Sequence, residues 1–546
     1  MAKISGGALA ARTLKQHGID HLFGLVGGHI YPILEGCAAE GIRFVDVRHE
    51  ESGAHMAEGW ALATGRTGAC IGTAGPGFTN MLTGIANAYS GAYPVLAIAG
   101  HASTHESDTR ALQDFNQLDM VKPTTKFART VYQAGRIPEI FDVALSQART
   151  GRPGPAYVET PMEQLFKEVE EDAVATPLSG GAPPLGAGAN PAELDRAIEL
   201  IDKAEKPLII AGGGVFWSQG QDKLRALAER ADIPLFTRSA GRGCVPDDHP
   251  LVIAPGTVGP VAHGAMAQAD LIILLGTRFG FTFDAKLAPA ATKMIRVDID
   301  PAAFHNGRAS DVSIVGDVGV VLGQLGDGVR QVKHTQWIEE LQATAKGFDD
   351  AMAVGRLSDA DPIHPLRLFG EIANFVDSET VVCVDGGDVC GWGNLMLPAP
   401  GPGQFLSLLS SNFGCLGVGV PYGIAAKLAH PDKKVIVTTG DGSFGFTAME
   451  METAVRHGIP IVTVVGNDQG WGNIKHPFKA MRGEALPSCD LPPTRYDKIV
   501  EAMGGHGELV VKPKDIAPAI QRAIDSGLPA CVNVMTDPEV GIGSSY

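Results

Sequence analysis

What most limits the folds open to this 546-residue chain is a recurring pair of patterns. A short apolar run closes on a glycine or an acid, and a longer stretch with helical periodicity follows. The first third carries the runs HLFGLVG, IRFVDV, GACIGTAG and PVLAIAG, separated by helical stretches such as Glu51–Thr64 and Asn80–Ser90. The middle third carries PLIIAGGG, LIILLGT and MIRVDID, and the last third TVVCVDGG, KKVIVTTGDG and PIVTVVGND. Strands that alternate with helices form parallel sheets covered on both faces. Ligands of such sheets sit at the carboxyl ends of the strands, near helix N-termini. The loops after these runs are therefore where chemistry is expected.

A chain of this length exceeds what one hydrophobic core can organise. Two stretches read as linkers. Thr176–Asn190 (TPLSGGAPPLGAGAN) is rich in Pro, Gly and Ala, and polar residues with two prolines lie near Gly355–Pro365. The expected architecture is α/β, with three doubly wound parallel-sheet domains over residues 1–175, 190–345 and 360–546. An internal similarity relates the outer two. TAGPGFTNMLTGIANAYSGAYPVLAIAG and TTGDGSFGFTAMEMETAVRHGIPIVTVVG both read strand, Gly-x-Gly turn, helix, strand. Chance similarity between α/β units is the competing explanation. Only the second copy has an acid between its glycines, so a metal site is expected there alone.

The formal net charge of −17 argues against nucleic acid or anionic membrane as a partner, since both need a basic face. No apolar run approaches the roughly 20 residues of a membrane-spanning helix. The N-terminal MAKISGGALAARTLKQHG reads as an amphipathic helix rather than a secretory signal. The eight cysteines are scattered, and even Cys383 and Cys390 lack metal-ligand spacing, as expected of reduced core thiols in a cytoplasmic protein.

Gly440-Asp441-Gly442-Ser443 follows the strand KKVIVTT and precedes a helix whose start carries a capping-box pattern, Thr447 to Glu450. Its glycines let the backbone approach an anion, the helix N-terminus favours phosphate, and Asp441 offers a hard oxygen suited to Mg²⁺. The next strand, Ile459–Val465, delivers Asn467-Asp468 27 positions further on (468 − 441). Both loops then lie at one edge of neighbouring strands, where Asp441 and Asp468 can share a cation. A second group is Arg48-His49-Glu50-Glu51 followed by HMAEGWALATG, which closes a strand and opens a helix. Read by itself it is a helix N-terminus carrying acids that the dipole favours.

Taken together these segments resemble the thiamine diphosphate-dependent enzymes, whose signature is Gly-Asp-Gly followed some two dozen residues later by paired asparagines. The resemblance spans nearly the whole chain. It implies a pyrimidine-binding N-terminal domain, a central Rossmann-like domain and a diphosphate-binding C-terminal domain. It also implies Mg²⁺ held by Asp441, Asp468 and the carbonyl of Gly470. Here the second asparagine of the signature is Asp468, an acid that adds negative charge beside the diphosphate. Glu50 matches the glutamate whose proton exchange with the aminopyrimidine ring promotes loss of the thiazolium C2 proton. Gly387, Asp388, Gly414, Leu416, Gly440, Gly442, Ser443 and Trp471 are implied as cofactor contacts. Leu416 is the bulky residue that wedges the cofactor into its bent form, with core packing as its other reading. The family also implies a homodimer or homotetramer in which cofactor sites span two subunits. In relatives the central domain holds FAD, ADP or nothing; GGG at 212–214 and VDID at 297–300 are the segments that bear on this.

By matching positions, Gly28, His29 and Gln113 line the reaction side, His29 relaying protons and Gln113 binding an oxyanion or hydroxyl. A helix-starting His and a surface Gln are the plainer alternatives. Asn473 stands on the substrate side and suggests a polar acyl or acceptor group. Lys475 and His476 meet a phosphate or carboxylate there, or face solvent. GLVGGHI, RHE and LQDFNQLDMVKPTTKFAR resemble benzaldehyde lyase. GDGSFGFTAMEMET, TRYDKIVEAMGGHGE and PACVNVMTDPE resemble oxalyl-CoA decarboxylase and 2-hydroxyacyl-CoA lyase. The leading expectation is cleavage of a 2-hydroxyacyl-CoA to an aldehyde or ketone plus formyl-CoA, or the reverse. The alternatives are an acetolactate synthase-like carboligase and a hydroxyketone lyase. A dinucleotide oxidoreductase is disfavoured because no Gly-x-Gly-x-x-Gly opens a helix after a first strand with an acid about 20 residues on. A scaffold without cofactor remains open if Asp468 abolishes metal binding.

Overall fold

The computed structural model of the chain describes residues 2–174, 186–256, 259–280 and 283–542. The first ten residues of the linker expected at Thr176–Asn190 lie outside these, and Asn190 caps a helix at Pro191–Lys203. Near the second expected linker, a helix over Thr335–Arg356 gives way to irregular chain before the helix Pro365–Ala373.

Three parallel sheets carry the fold. The first has the spatial order Arg43–Asp46, His21–Gly24, Gly68–Gly72, Val95–His101, Ala156–Pro161 and Phe127–Thr130. The third runs Phe405–Ser407, Thr380–Val384, Lys434–Gly440, Val462–Asn467, Ala530–Met535 and His506–Val510. Numbered along the chain, both read 2-1-3-4-6-5. The internal similarity seen in the sequence is thus a repeat of topology. The central sheet has five strands, from Leu235–Thr237 through Pro207–Ala211, Leu271–Leu275 and Lys293–Asp298 to Val312–Val315. Central strands such as Val95–Ile98, Leu208–Ala211 and Val435–Val437 are wholly apolar and buried, because helices cover both faces of a parallel sheet. A two-stranded antiparallel pair, Lys3–Ser5 with Glu168–Glu170, fastens the N-terminus.

By packing, the chain divides into two compact units. One comprises Met1–Pro184, Phe413–Ala429 and Thr447–His457; the other comprises Leu185–Asn412, His430–Phe446 and Gly458–Tyr546. Two helices late in sequence, Gly419–Ala429 and Glu450–Arg456, therefore pack with the first sheet. The helix Glu50–Thr64 meets Gly419–Ala429 at Gly59, where a Cβ would lie 2.9 Å from the Cα of Tyr422. Beside this crossing Glu58, fully buried, accepts hydrogen bonds from Tyr422 Oη (2.9 Å), Asn87 Nδ2 (2.8 Å) and the His55 ring at Nδ1 (3.0 Å).

One local expectation is overturned. Thr447 and Glu450 form no capping box. Thr447 ends the helix Asp441–Thr447 and gives its hydroxyl to the carbonyl of Gly417. The Glu450 carboxylate instead accepts from the backbone N–H groups of Arg48 and His49, both at 3.1 Å. It satisfies the orphan donors of another helix N-terminus, the one that carries Glu50.

Candidate active site

In an open α/β sheet the crevice opens where the strand order reverses. In the third sheet that point lies between Thr380–Val384 and Lys434–Gly440, the loops after which carry Gly387-Asp388 and Gly440–Ser443. The neighbouring strand, in register with Gly440 opposite Gly466, delivers Asn467 and Asp468 to the same edge. The two asparagine-like positions then part company. Asn467 is buried and donates to Asn533 Oδ1 (3.0 Å) and the Thr494 carbonyl, so its side chain is spent on the scaffold. Asp468 faces the crevice. Gln469, at φ 57°, turns the chain so that Gly470 pairs with Asp490 and the Trp471 amide reaches the Cys489 carbonyl at 2.8 Å.

Asp441 is 1% exposed; one carboxylate oxygen accepts from the Gly442 amide at 2.8 Å, and the other, Oδ2, has no partner. Burial and the neighbouring Asp468 carboxylate push Asp441 up to about 7, and burial also raises Asp468. Two adjacent carboxylates, one buried and one half-buried, favour a shared proton or a cation between them. An oxygen-ligated dication fits this donor set, so the charge carried by Asp468 suits a metal there. Trp471 lies over Gly442, where a Cβ would come within 2.7 Å of its ring, and Ser443 is buried behind the turn. Asp388 opens the helix Asp388–Met396, and its Oδ2 points toward Gly472, as does Asp468 Oδ2. Burial, then Asp468, push Asp388 up to about 6. Asn473 is exposed and stands against Gly387. Lys475 pairs with Asp490 at 2.9 Å, and the His476 ring is covered and lies 3.6 Å from Asp388 Oδ2. Of these two, neither is the free solvent group that was one of its sequence readings.

The first unit holds the equivalent crevice, between His21–Gly24 and Gly68–Gly72. Glu50 is the first residue of its helix and 6% exposed; Oε2 accepts from Asn80 Nδ2 at 2.9 Å. Gly77 sits between Glu50 and Thr73: a Cβ there would lie 3.3 Å from Glu50 Oε1 and 2.9 Å from Thr73 Cγ2. Thr73 joins the other residues expected here, with the His29 ring at 3.3 Å on one side and Gln113 Oε1 at 3.3 Å on the other. Burial lowers the His29 pKa and favours its neutral ring. Gln113 adopts φ 64°, a left-handed backbone uncommon for a non-glycine residue and concentrated at functional sites. Gly28, next to His29 in the chain, is exposed. Gly414, at φ 71°, and half-buried Leu416 form the turn before the helix Gly419–Ala429 of the same unit.

Three residues in this crevice escaped the sequence reading. Asn80 holds Glu50, Thr73 links His29 to Gln113, and buried Gln117 accepts from the Gly75 amide at 2.6 Å while donating to Gly100, Tyr157 and Glu159. The signal for Thr73 was present, since it stands directly after a strand of the sheet. Asn80 and Gln117 lie inside helical stretches with nothing to mark them. In the central sheet the glycine run packs backbone on backbone, a Cβ at Gly214 meeting the Cα of Gly276 at 2.6 Å. Asp298 accepts from the Asp300 amide and so closes its own turn.

These crevices define a cofactor-dependent α/β enzyme, and comparison with known proteins makes the class specific. Residues 4–120 match the N-terminal TPP binding domain of thiamine pyrophosphate enzymes, residues 194–325 their central domain and residues 385–534 their C-terminal TPP binding domain. The acetolactate synthase large subunit IlvG of Mycobacterium tuberculosis is 37% identical over 538 residues, covering 98% of this chain and 96% of that protein. The 2-hydroxyacyl-CoA lyase 2 of Homo sapiens is 31% identical over 579 residues, covering 97% and 90%. A probable acetolactate synthase large subunit of Methanocaldococcus jannaschii is 31% identical over 560 residues, covering 98% and 92%. The chain belongs to the thiamine pyrophosphate enzymes. Among the described residues no helix is long and apolar enough to cross a membrane.

Proposed function

We propose that the chain is a thiamine diphosphate- and Mg²⁺-dependent carbon–carbon lyase that cleaves a 2-hydroxyacyl-CoA into an aldehyde or ketone and formyl-CoA, and runs the reverse carboligation. The observation that carries the cofactor assignment is the adjacent carboxylates of buried Asp441 and half-buried Asp468, with one Asp441 oxygen unpartnered among the described residues, at the reversal point of the third sheet. Glu50 stands at the same point of the first sheet. In this reading Asp441, Asp468 and the Gly470 carbonyl hold Mg²⁺. Gly387, Asp388, Gly440, Gly442, Ser443 and Trp471 surround the diphosphate, and Gly414 and Leu416 shape the cofactor's bend. The bound cofactor supplies a carbon nucleophile and an electron sink next to the substrate carbonyl.

Glu50, kept in place by the Asn80 amide, would hold the aminopyrimidine of the cofactor and offer the carboxyl group for proton exchange there. His29, held neutral by burial, accepts the proton of the substrate's 2-hydroxyl as the bond between C1 and C2 breaks. Gln113 donates its amide hydrogens to the oxyanion, oriented through Thr73. Asn473 offers a hydrogen bond to the polar acyl portion. The reading includes a homodimer or homotetramer whose sites draw on residues 1–175 and 360–546 of different chains.

The lyase substrate is supported by the C-terminal resemblance and by relatives named 2-hydroxyacyl-CoA lyases that match along nearly the whole chain. The higher identity to proteins named acetolactate synthases favours a second reading, condensation of 2-oxo acids. Mass spectrometry of products from a short 2-hydroxyacyl-CoA, beside a parallel reaction on pyruvate, separates the two. Formyl-CoA with an aldehyde or ketone is the expected result. Acetolactate from pyruvate, with the thioester untouched, would replace the lyase reading by the second.

A further inference from the structure

We propose that Glu51, His55 and Cys415 form a second metal site, distinct from the acids of the third sheet, that takes a borderline-soft transition-metal dication such as Zn²⁺. All three belong to the first compact unit. Glu51 and His55 are four residues apart in the helix Glu50–Thr64 and so share a face one turn apart. Cys415 comes from the turn before the helix Gly419–Ala429. His55 Nε2 lies 3.7 Å from Glu51 Oε1 and 3.5 Å from Cys415 Sγ, and the three candidate ligand atoms all fall within 4.8 Å of one another. A tetrahedral ion with bonds of about 2.0–2.3 Å to N, O and S separates its ligand atoms by roughly 3.4–3.6 Å. The two spacings from His55 are close to these edges and the third lies within 4.8 Å, so modest side-chain movements bring the three groups to bonding distance.

The histidine is prepared for the role from behind. His55 is fully buried, and its other ring nitrogen, Nδ1, meets Glu58 Oε2 at 3.0 Å. Glu58 is itself fixed by Asn87 and Tyr422, and its second oxygen has no partner. A carboxylate behind a histidine sets the ring's orientation and raises the basicity of the nitrogen that faces the ion. Seven of the eight cysteines are buried, three of them in strands; Cys415 is the half-buried exception, so solvent and ions can reach it. Three protein ligands of this kind leave a fourth position open for water or a small anion. On entry the ion displaces the thiol proton and any proton on His55 Nε2. The plainer reading, a hydrogen-bonded Cys–His–Glu array that merely closes the helix start, is the other outcome of the test.

The probe is Co²⁺, titrated into metal-stripped, cofactor-free full-length protein in excess Mg²⁺, which occupies oxygen-lined sites. Wild-type protein is expected to bind one Co²⁺ per chain with a thiolate-to-cobalt charge-transfer band in the near ultraviolet. Cobalt held by Asp441 and Asp468 gives no such band. Cys415→Ser removes the band, and Glu51→Gln weakens binding by roughly 10- to 100-fold. Both positions are half-buried, and circular dichroism checks that each variant keeps the fold; His55 is left intact because it is enclosed. Absence of the band in wild type, or its persistence in Cys415→Ser, would overturn the proposal.

Discussion

At the residue scale the sharpest demand falls on two carboxyl groups. Glu50 contacts Asn80 and lies under the Gly77 turn, so Glu50→Gln preserves the shape and the hydrogen bond while removing the exchangeable proton. Turnover is expected to fall by about 10²–10⁴-fold, with thiamine diphosphate affinity little changed, as steady-state kinetics beside a binding titration will register. Asp441→Ala acts differently. It removes the buried one of the two acids, and Mg²⁺-dependent cofactor binding should weaken by roughly 10- to 100-fold, read through the fluorescence of nearby Trp471. The Asn80→Ala variant is a milder case: Glu50 loses the amide that orients it, and turnover drops while the cofactor still binds.

At the element scale the two outer sheets repeat one strand order, and a single shared unit was visible in the sequence because its two copies each carry a Gly-x-Gly turn after a strand; the full order, which depends on pairings between distant strands, was not. Asp441 and Asp468 stood out for a related reason, each following a strand directly. Glu450 was misread as half of a capping box, because a Thr-x-x-Glu spacing says nothing about which helix end the acid serves. Its partners, Arg48 and His49, lie some 400 residues earlier, beyond any local pattern. Asn80 and Gln117 were hidden likewise, being ordinary polar residues inside helical stretches. The crossing at Gly59 yields a test at this scale. Gly59→Val places methyl groups against the backbone at Tyr422, and overpacking of about 1–3 kcal/mol should lower the denaturation midpoint of the first unit, measured by chemical unfolding.

At the scale of the whole molecule, binding energy adds to stability. Thiamine diphosphate with Mg²⁺ at 100-fold excess over its Kd should stabilise the folded chain by about 2.7 kcal/mol, and a thermal melt of stripped against loaded protein will show a higher transition for the latter. Asp441→Ala should abolish most of that difference. The composition of the first unit reaches further still. Its helix Glu50–Thr64 is covered by Gly419–Ala429, part of a segment that begins 229 residues (413 − 184) after the unit's first segment ends. At about 5–20 residues per second the gap lasts roughly 10–50 s. Throughout that interval Glu58 lacks Tyr422 and the N–H groups at Arg48 and His49 lack Glu450. The nascent N-terminal third thus waits, unfinished, for late-made pieces of its own core, and a chain cut before Phe413 lacks both of them.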